Sequence, residues 1–154
     1  MRLLDAMILI YFSKVDLLEA LLRLPDLAVT TSVRNELRRP SPLRDAVEAA
    51  LADGLLGLCD VDPEDGTERT LYIMYRDGDG FSGLGEGEAT SMSVACARGF
   101  TFVSHDRKAR ETAVSAGIKL LDWDDLLAEL SDQGLITAKR HESAKQAIRR
   151  LLKE

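Results

Sequence analysis

A chain of 154 residues, 45% of them apolar and 30% charged, has the size and composition of a single globular domain that folds without staples. Twenty-six acidic against 20 basic residues leave a net charge of −6. That balance argues against tight, non-specific nucleic-acid binding over a broad basic surface. It leaves room for an enzyme whose negative charge is gathered in a metal site with basic residues flanking it.

No apolar run approaches the roughly 20 residues of a membrane span. Met1–Phe12 is short, carries Asp5 and lacks a small-residue cleavage site, so no signal peptide and a cytoplasmic location are expected. Cys59 and Cys96 each sit in an apolar stretch and read as small reduced core residues.

In chain order, Leu3 to Phe12 is a nearly continuous apolar run broken by Asp5, and it predicts a buried strand with the acid at its end or in the next turn. Val15 to Leu24 has helical spacing and stops at Pro25. Leu27–Thr30 reads as a second strand, and Thr31 or Ser32 can cap a helix holding Val33, Glu36 and Leu37 that ends before Pro40. Pro42–Asp53 is an amphipathic helix closed by Gly54, and Leu55–Val61 is a third strand.

Glu64–Asp77 should be helical. Gly78, Gly80, Gly83, Gly85 and Gly87 then form a glycine-rich approach to a helix over Glu88–Arg98, with a mobile loop expected at the mouth of any site. Phe100–Ser104 is a central strand, Arg107–Ala116 a helix ended by Gly117, Ile118–Leu121 a strand and Trp123–Leu130 a helix. The tail, Thr137–Glu154, is basic and amphipathic. Alternation of strands and helices predicts an α/β domain, with a mostly parallel central sheet and helices on both faces. The domain is expected over residues 1–130. Residues 131–154 are expected as a helical extension that packs on the domain or holds a partner.

In such a sheet, ligands bind beyond the carboxyl ends of the strands. Asp5, Glu88 and Asp106 fall at predicted strand ends or in the turns after them, and Glu36 lies one helical turn past the second strand. Two like charges about 4 Å apart repel by about 4 kcal/mol at an effective dielectric of about 20, so clustered carboxylates call for protons or cations. Oxygen-only ligands suit hard ions, Mg²⁺ or Mn²⁺.

These segments resemble the motifs of PIN domains. Asp5 in Leu-Leu-Asp-Ala-Met-Ile-Leu-Ile resembles their opening aspartate, and Thr31–Leu37 their second motif with Glu36 as its acid. Leu84-Gly85-Glu86-Gly87-Glu88-Ala89 is similar to the Gly-Glu-Ala helix start of one branch. Phe102–Arg110 resembles the fourth motif, with Ser104 as its hydroxyl residue and Asp106 as its acid. The four motifs occur in order over roughly residues 2–130.

The resemblance implies a metal-dependent ribonuclease of the VapC-like toxin branch, paired with an antitoxin protein and commonly dimeric. In that role Asp5, Glu36, Glu88 and Asp106 hold Mg²⁺ or Mn²⁺, and water attacks phosphorus with no protein nucleophile. Ala6 and Met7 depart from the family pattern, which has hydroxyl or amide side chains there. The loss of such supporting side chains weakens metal binding by about 10–100-fold. The alternative reading is a PIN-like module that binds RNA or a protein partner with weakened chemistry.

Other residues carry two readings each. His105 is an exposed turn histidine or a contact to substrate or metal. Glu86 stabilises a helix start or adds charge at the mouth. Asp122, Asp124 and Asp125 cap the helix from Trp123 or bring one more acid to the metals. Arg34, Arg38, Arg39, Arg107, Lys108 and Arg110 grip the RNA backbone or antitoxin acids, or form solvated helix faces. Asp77–Gly83 is no Ca²⁺ loop, because Phe81 and Gly83 stand where oxygen ligands belong, and no phosphate loop, because it lacks a Gly-Lys-Ser/Thr ending. A dehalogenase-type phosphatase would want Asp-x-Asp, and Met7 stands at the second position.

Overall fold

The first strand is much shorter than its apolar run. In the computed structural model, which describes residues 1–37, 41–77 and 84–153, β1 spans only Arg2–Leu4, and helix α1 occupies Ala6–Lys14. Asp5 makes the switch. Its backbone is extended (φ −75°, ψ 154°), and its side chain accepts the Ala6 N–H, capping the new helix. Ile8, Leu9 and Phe12 are buried while Met7 is exposed, which is helical spacing hidden in a run too uniformly apolar to reveal its period.

The second expected helix shrinks to α2 (Leu18–Leu21), after Asp16 takes a left-handed φ of 57°. Strand β2 (Leu27–Val29) leads to α3 (Thr31–Glu36), and the cap is Thr30, whose Oγ1 accepts the Val33 N–H. The cap is thus one residue before Thr31 and two before Ser32, and Glu36 is the last residue of the helix. Helix α4 (Pro42–Ala52) precedes β3, which is confined to Gly57–Leu58. Helices α5 (Gly66–Asp77) and α6 (Glu86–Arg98) follow. The chain closes with β4 (Thr101–Val103), α7 (Arg107–Ser115), β5 (Leu120–Leu121), α8 (Trp123–Asp132) and α9 (Ala138–Leu152). Arg38 and Arg39, and the glycine-rich positions Gly78 to Gly83 expected to form a mobile loop, lie outside the described residues.

The five strands form one all-parallel sheet ordered β3-β2-β1-β4-β5. Alternate residues point to opposite faces. Leu4, Leu27, Val29 and Val103 join a core with α1, α2, α3, α4, α8 and α9, while Leu3, Ala28 and Phe102 join a second core with α5, α6 and α7. Both faces are therefore covered, as a parallel sheet requires. Helix α9 sets Ala144 and Ile148 into the first core, and Arg140 donates to the carbonyl of Val15 below α1. Among the described residues no helix is long and apolar enough to cross a membrane.

The chain runs from β1 outward to β2 and β3, then returns to the other side of β1 for β4 and β5. The order reverses between β1 and β4, the point at which parallel sheets form a ligand crevice beyond the carboxyl ends of the strands.

Candidate functional site

Asp5 leaves β1 and Asp106 follows β4, so the two acids flank that crevice. Asp5 is only 4% exposed. Fully buried Ser104 ties the two segments together: its Oγ donates to Asp5 Oδ2 at 2.9 Å and accepts the Asp106 N–H at 3.1 Å. Asp106 in turn caps α7 by accepting the Ala109 N–H at 2.8 Å. Ser104 thus orients one acid through its side chain and the other through its backbone.

Glu36 closes α3, which follows β2, and Glu88 lies in the first turn of α6. Both rest against glycines, and in each case the missing side chain matters. A methyl group at Gly87 would overlap Glu36 Oε1, and one at Gly85 would stand 2.6 Å from Glu88 Oε2. The Gly87 N–H also donates to the Glu36 carboxylate. Helix α6 therefore begins with glycines because two carboxylates lie where side chains would be.

The charges of neighbouring acids act on two of these carboxyls, Asp5 and Glu36. Burial, then the charges of Glu88 and Asp106, raise the Asp5 carboxyl to about 6, against hydrogen bonds from Ser104 and Ala6 that lower it. Burial, then Asp5 and Glu88, raise Glu36 to about 7. Such mutual repulsion is the signature of carboxylates that a cation would relieve. Among the described residues no three acidic, histidine or cysteine side chains stand as one closed metal-holding group, so the acids ring the crevice without converging on a point. The donor set is nevertheless all oxygen and fits a hard divalent ion.

Other sequence candidates separate cleanly. His105 is half-buried, not an exposed turn residue: its Nδ1 lies 2.8 Å from Asp122 Oδ2, and its ring meets Tyr11 edge-on at 6.4 Å. Asp122 also accepts the Trp123 N–H, and Asp125 completes a capping box at the start of α8, so these acids cap rather than join the cluster.

Arg34 does not face the crevice as a free cation. It binds Glu48 through Nε at 2.7 Å and Nη2 at 2.6 Å, beside buried Arg44 on the same carboxylate. Arg107 is exposed and pairs with Glu111 at 3.0 Å, and Arg110 donates to the carbonyls of Ser104 and Leu121. Glu86 points away to Tyr72 and Arg76. Cys59 and Cys96 are free thiols, partly buried.

Sequence reasoning missed three contributors. Burial, then the charges of Asp122 and Asp5, raise the Tyr11 phenol. Asp60 accepts the Thr31 N–H and hydroxyl, anchoring the start of α3 that delivers Glu36. Buried Thr30 meets Thr90 at 3.3 Å and so couples β2 to α6. Only its place at the end of the expected strand Leu27–Thr30 hinted at Thr30; Tyr11 and Asp60 carry no sequence signal, because tertiary packing alone brings them here.

A family profile described as a PIN domain matches residues 1–154. The chain belongs to the PIN-domain family. No curated protein matches it. The PIN match spans the described fold, including α9, and agrees with the parallel sheet and with the crevice between β1 and β4. It makes this a nuclease-type fold.

Proposed function

We propose that this PIN domain is a metal-dependent endoribonuclease and the toxin of a VapC-like toxin–antitoxin pair, acting in the cytoplasm. The observation that carries the reading is electrostatic: acids from four separate segments lie near enough that Glu88 and Asp106 raise the Asp5 carboxyl, and Asp5 and Glu88 raise that of Glu36. An all-carboxylate set of that kind would hold Mg²⁺ or Mn²⁺, which would supply Lewis acidity to activate water and to neutralise the phosphodiester.

The chain's own part is positional. Ser104 fixes one oxygen of Asp5, α3 brings Glu36 in against Gly87, and α6 carries Glu88 against Gly85. Among the described residues, the serine beside these acids is Ser104, fully buried and tied to Asp5, so hydrolysis by water is the chemistry these residues suit. An antitoxin and a second copy of the chain are the protein partners that this reading expects.

The second reading, a binding module with weakened chemistry, draws support from one observation. Ala6 is buried and Met7 exposed beside Asp5, and neither can donate a hydrogen bond from its side chain to a carboxylate.

Cleavage of mixed RNA by the purified chain in Mg²⁺ and in Mn²⁺, beside Asp5→Asn and Asp106→Asn, tests the proposal. Metal-dependent cleavage lost in both variants supports the nuclease. A folded, partner-free protein that leaves RNA intact while still binding it transfers the reading to the module.

A further inference from the structure

Beside the crevice, at the β5 edge of the sheet, lies a groove of about 640 Å³ between α7 and the start of α8. Its apolar lining comes from Val114, which is 69% exposed, and from Leu120 of β5, with His105 and Asp122 at one end and Arg107 and Arg110 along the rim. An outward-facing valine on an otherwise polar helix face has no packing role in the isolated chain. The volume falls within the roughly 300–1,000 Å³ typical of small-ligand sites.

Resting on the nuclease reading, we propose that this groove is a nucleoside subsite that holds the RNA residue next to the scissile phosphate. Three observations favour that occupant. The groove begins beside one of the acids: His105 and Arg107, which line it, flank Asp106 in the chain.

Two guanidiniums that can meet a phosphodiester, Arg107 and Arg110, share the lining with Asp122 and Glu111. Asp122 already spends one oxygen on the Trp123 N–H and the other on His105. The Arg107–Glu111 pair is exposed on both sides, 93% and 67%, so it is weakly held and a phosphate can replace Glu111.

The lining combines an apolar floor with a ring edge and guanidinium planes, the surfaces on which splayed RNA bases stack. Arg110 is held by two backbone carbonyls and stays in place as a wall. The subsite fixes which nucleotide sits beside the cut without taking part in the chemistry.

The test uses the full chain carrying Asp5→Asn in Mg²⁺, a fluorescent mixed-sequence RNA oligonucleotide with 4-thiouridine, and the same protein with Val114→Glu added. Because Val114 is exposed, the added change should leave the circular dichroism and melting temperature unaltered. Expected are photo-cross-links within residues 107–120, their loss in the Val114→Glu protein, and RNA affinity lower by about ten-fold, the size of one lost stacking contact with added charge repulsion.

Cross-links confined to other segments, affinity within two-fold, or absence of saturable RNA binding by the Asp5→Asn chain would each overturn the subsite. So would a Val114→Glu change that splits a dimer in sedimentation, which assigns the groove to a second copy. Cleavage by the wild-type chain, measured in parallel, keeps the two readings apart: intact cleavage with any overturning result sinks the subsite alone.

Discussion

Replacing Asp5 by asparagine should make the stability of the ion-free protein less dependent on pH. The wild-type carboxyl moves from its ordinary 3.8 to about 6 on folding, chiefly through burial and the charge of Glu88. A carboxyl raised in this way favours the folded state while it is protonated. Its contribution is complete below about pH 4, is lost as the pH rises through about 6, and stays lost above that.

At about 1.36 kcal/mol for each pH unit, a carboxyl displaced from 3.8 to about 6 changes stability by at most roughly 3 kcal/mol across that window. The asparagine side chain keeps an oxygen for the Ala6 N–H and does not titrate. Removing the Asp5 charge also lets Glu36 fall back toward its usual range, since Asp5 is the second cause of its elevation. Between pH 4 and pH 8 in EDTA, the variant should therefore gain up to about 3 kcal/mol relative to wild type. For a domain of about 150 residues that corresponds to roughly 6–12 °C in melting temperature.

Thermal melts monitored by circular dichroism at both pH values provide the measurement. Addition of Mg²⁺ at 100 times its dissociation constant should stabilise the wild type by about 2.7 kcal/mol and the variant much less. Parallel pH profiles for the two proteins, or equal stabilisation by Mg²⁺, would refute the electrostatic account of the crevice.

Ser104→Ala should cost about 1–3 kcal/mol in urea denaturation, because it strands a buried Asp5 oxygen and the Asp106 N–H, and it should weaken Mg²⁺ binding by about 10–100-fold in calorimetry. Gly87→Ala should leave the fold intact, since the clash is with the flexible end of Glu36, yet displace that carboxylate and cut metal-dependent RNA cleavage by at least about ten-fold; unchanged cleavage would contradict the placement of Glu36. Apparent Mg²⁺ affinity should rise between pH 5.5 and pH 7.5 and then level off, as protons leave carboxyls standing at about 6 and about 7; a flat titration would be inconsistent with Asp5 and Glu36 as ligands. Arg34→Ala should lower the melting temperature through loss of the Glu48 pair while RNA affinity in a filter-binding assay stays the same.

Much of the architecture was legible because its signals are local. Period and punctuation located most helices to within a few residues: Pro42 opens α4, Gly54 and Gly117 take left-handed turns after α4 and α7, and Asp122 caps α8. The apolar run after Asp5 defeated the same reasoning, because an amphipathic period cannot be read where nearly every residue is apolar. The acids were legible as types at strand ends, and their motif order carried the family resemblance. Their company was not. Asp122 read as a helix cap and is one, but its second oxygen on His105 depends on where β5 lies beside β4. Arg34 read as an RNA contact or a solvated surface residue, and α4 packs Glu48 against it.

The sequence alone determined an α/β chain of alternating strands and helices, acids at the strand ends and family membership, since these depend on residue type and spacing along one dimension. Tertiary structure decided the strand order β3-β2-β1-β4-β5, which puts Asp5 and Asp106 on either side of one crevice with Ser104 between them. It also decided that Gly85 and Gly87 make room for carboxylates, that His105 is partnered, and that Val114 lines a groove. The reason is physical: burial and charge act through distances of a few ångströms in space, and residues 99 positions apart, such as Asp5 and Ser104, acquire those distances only when the chain closes on itself.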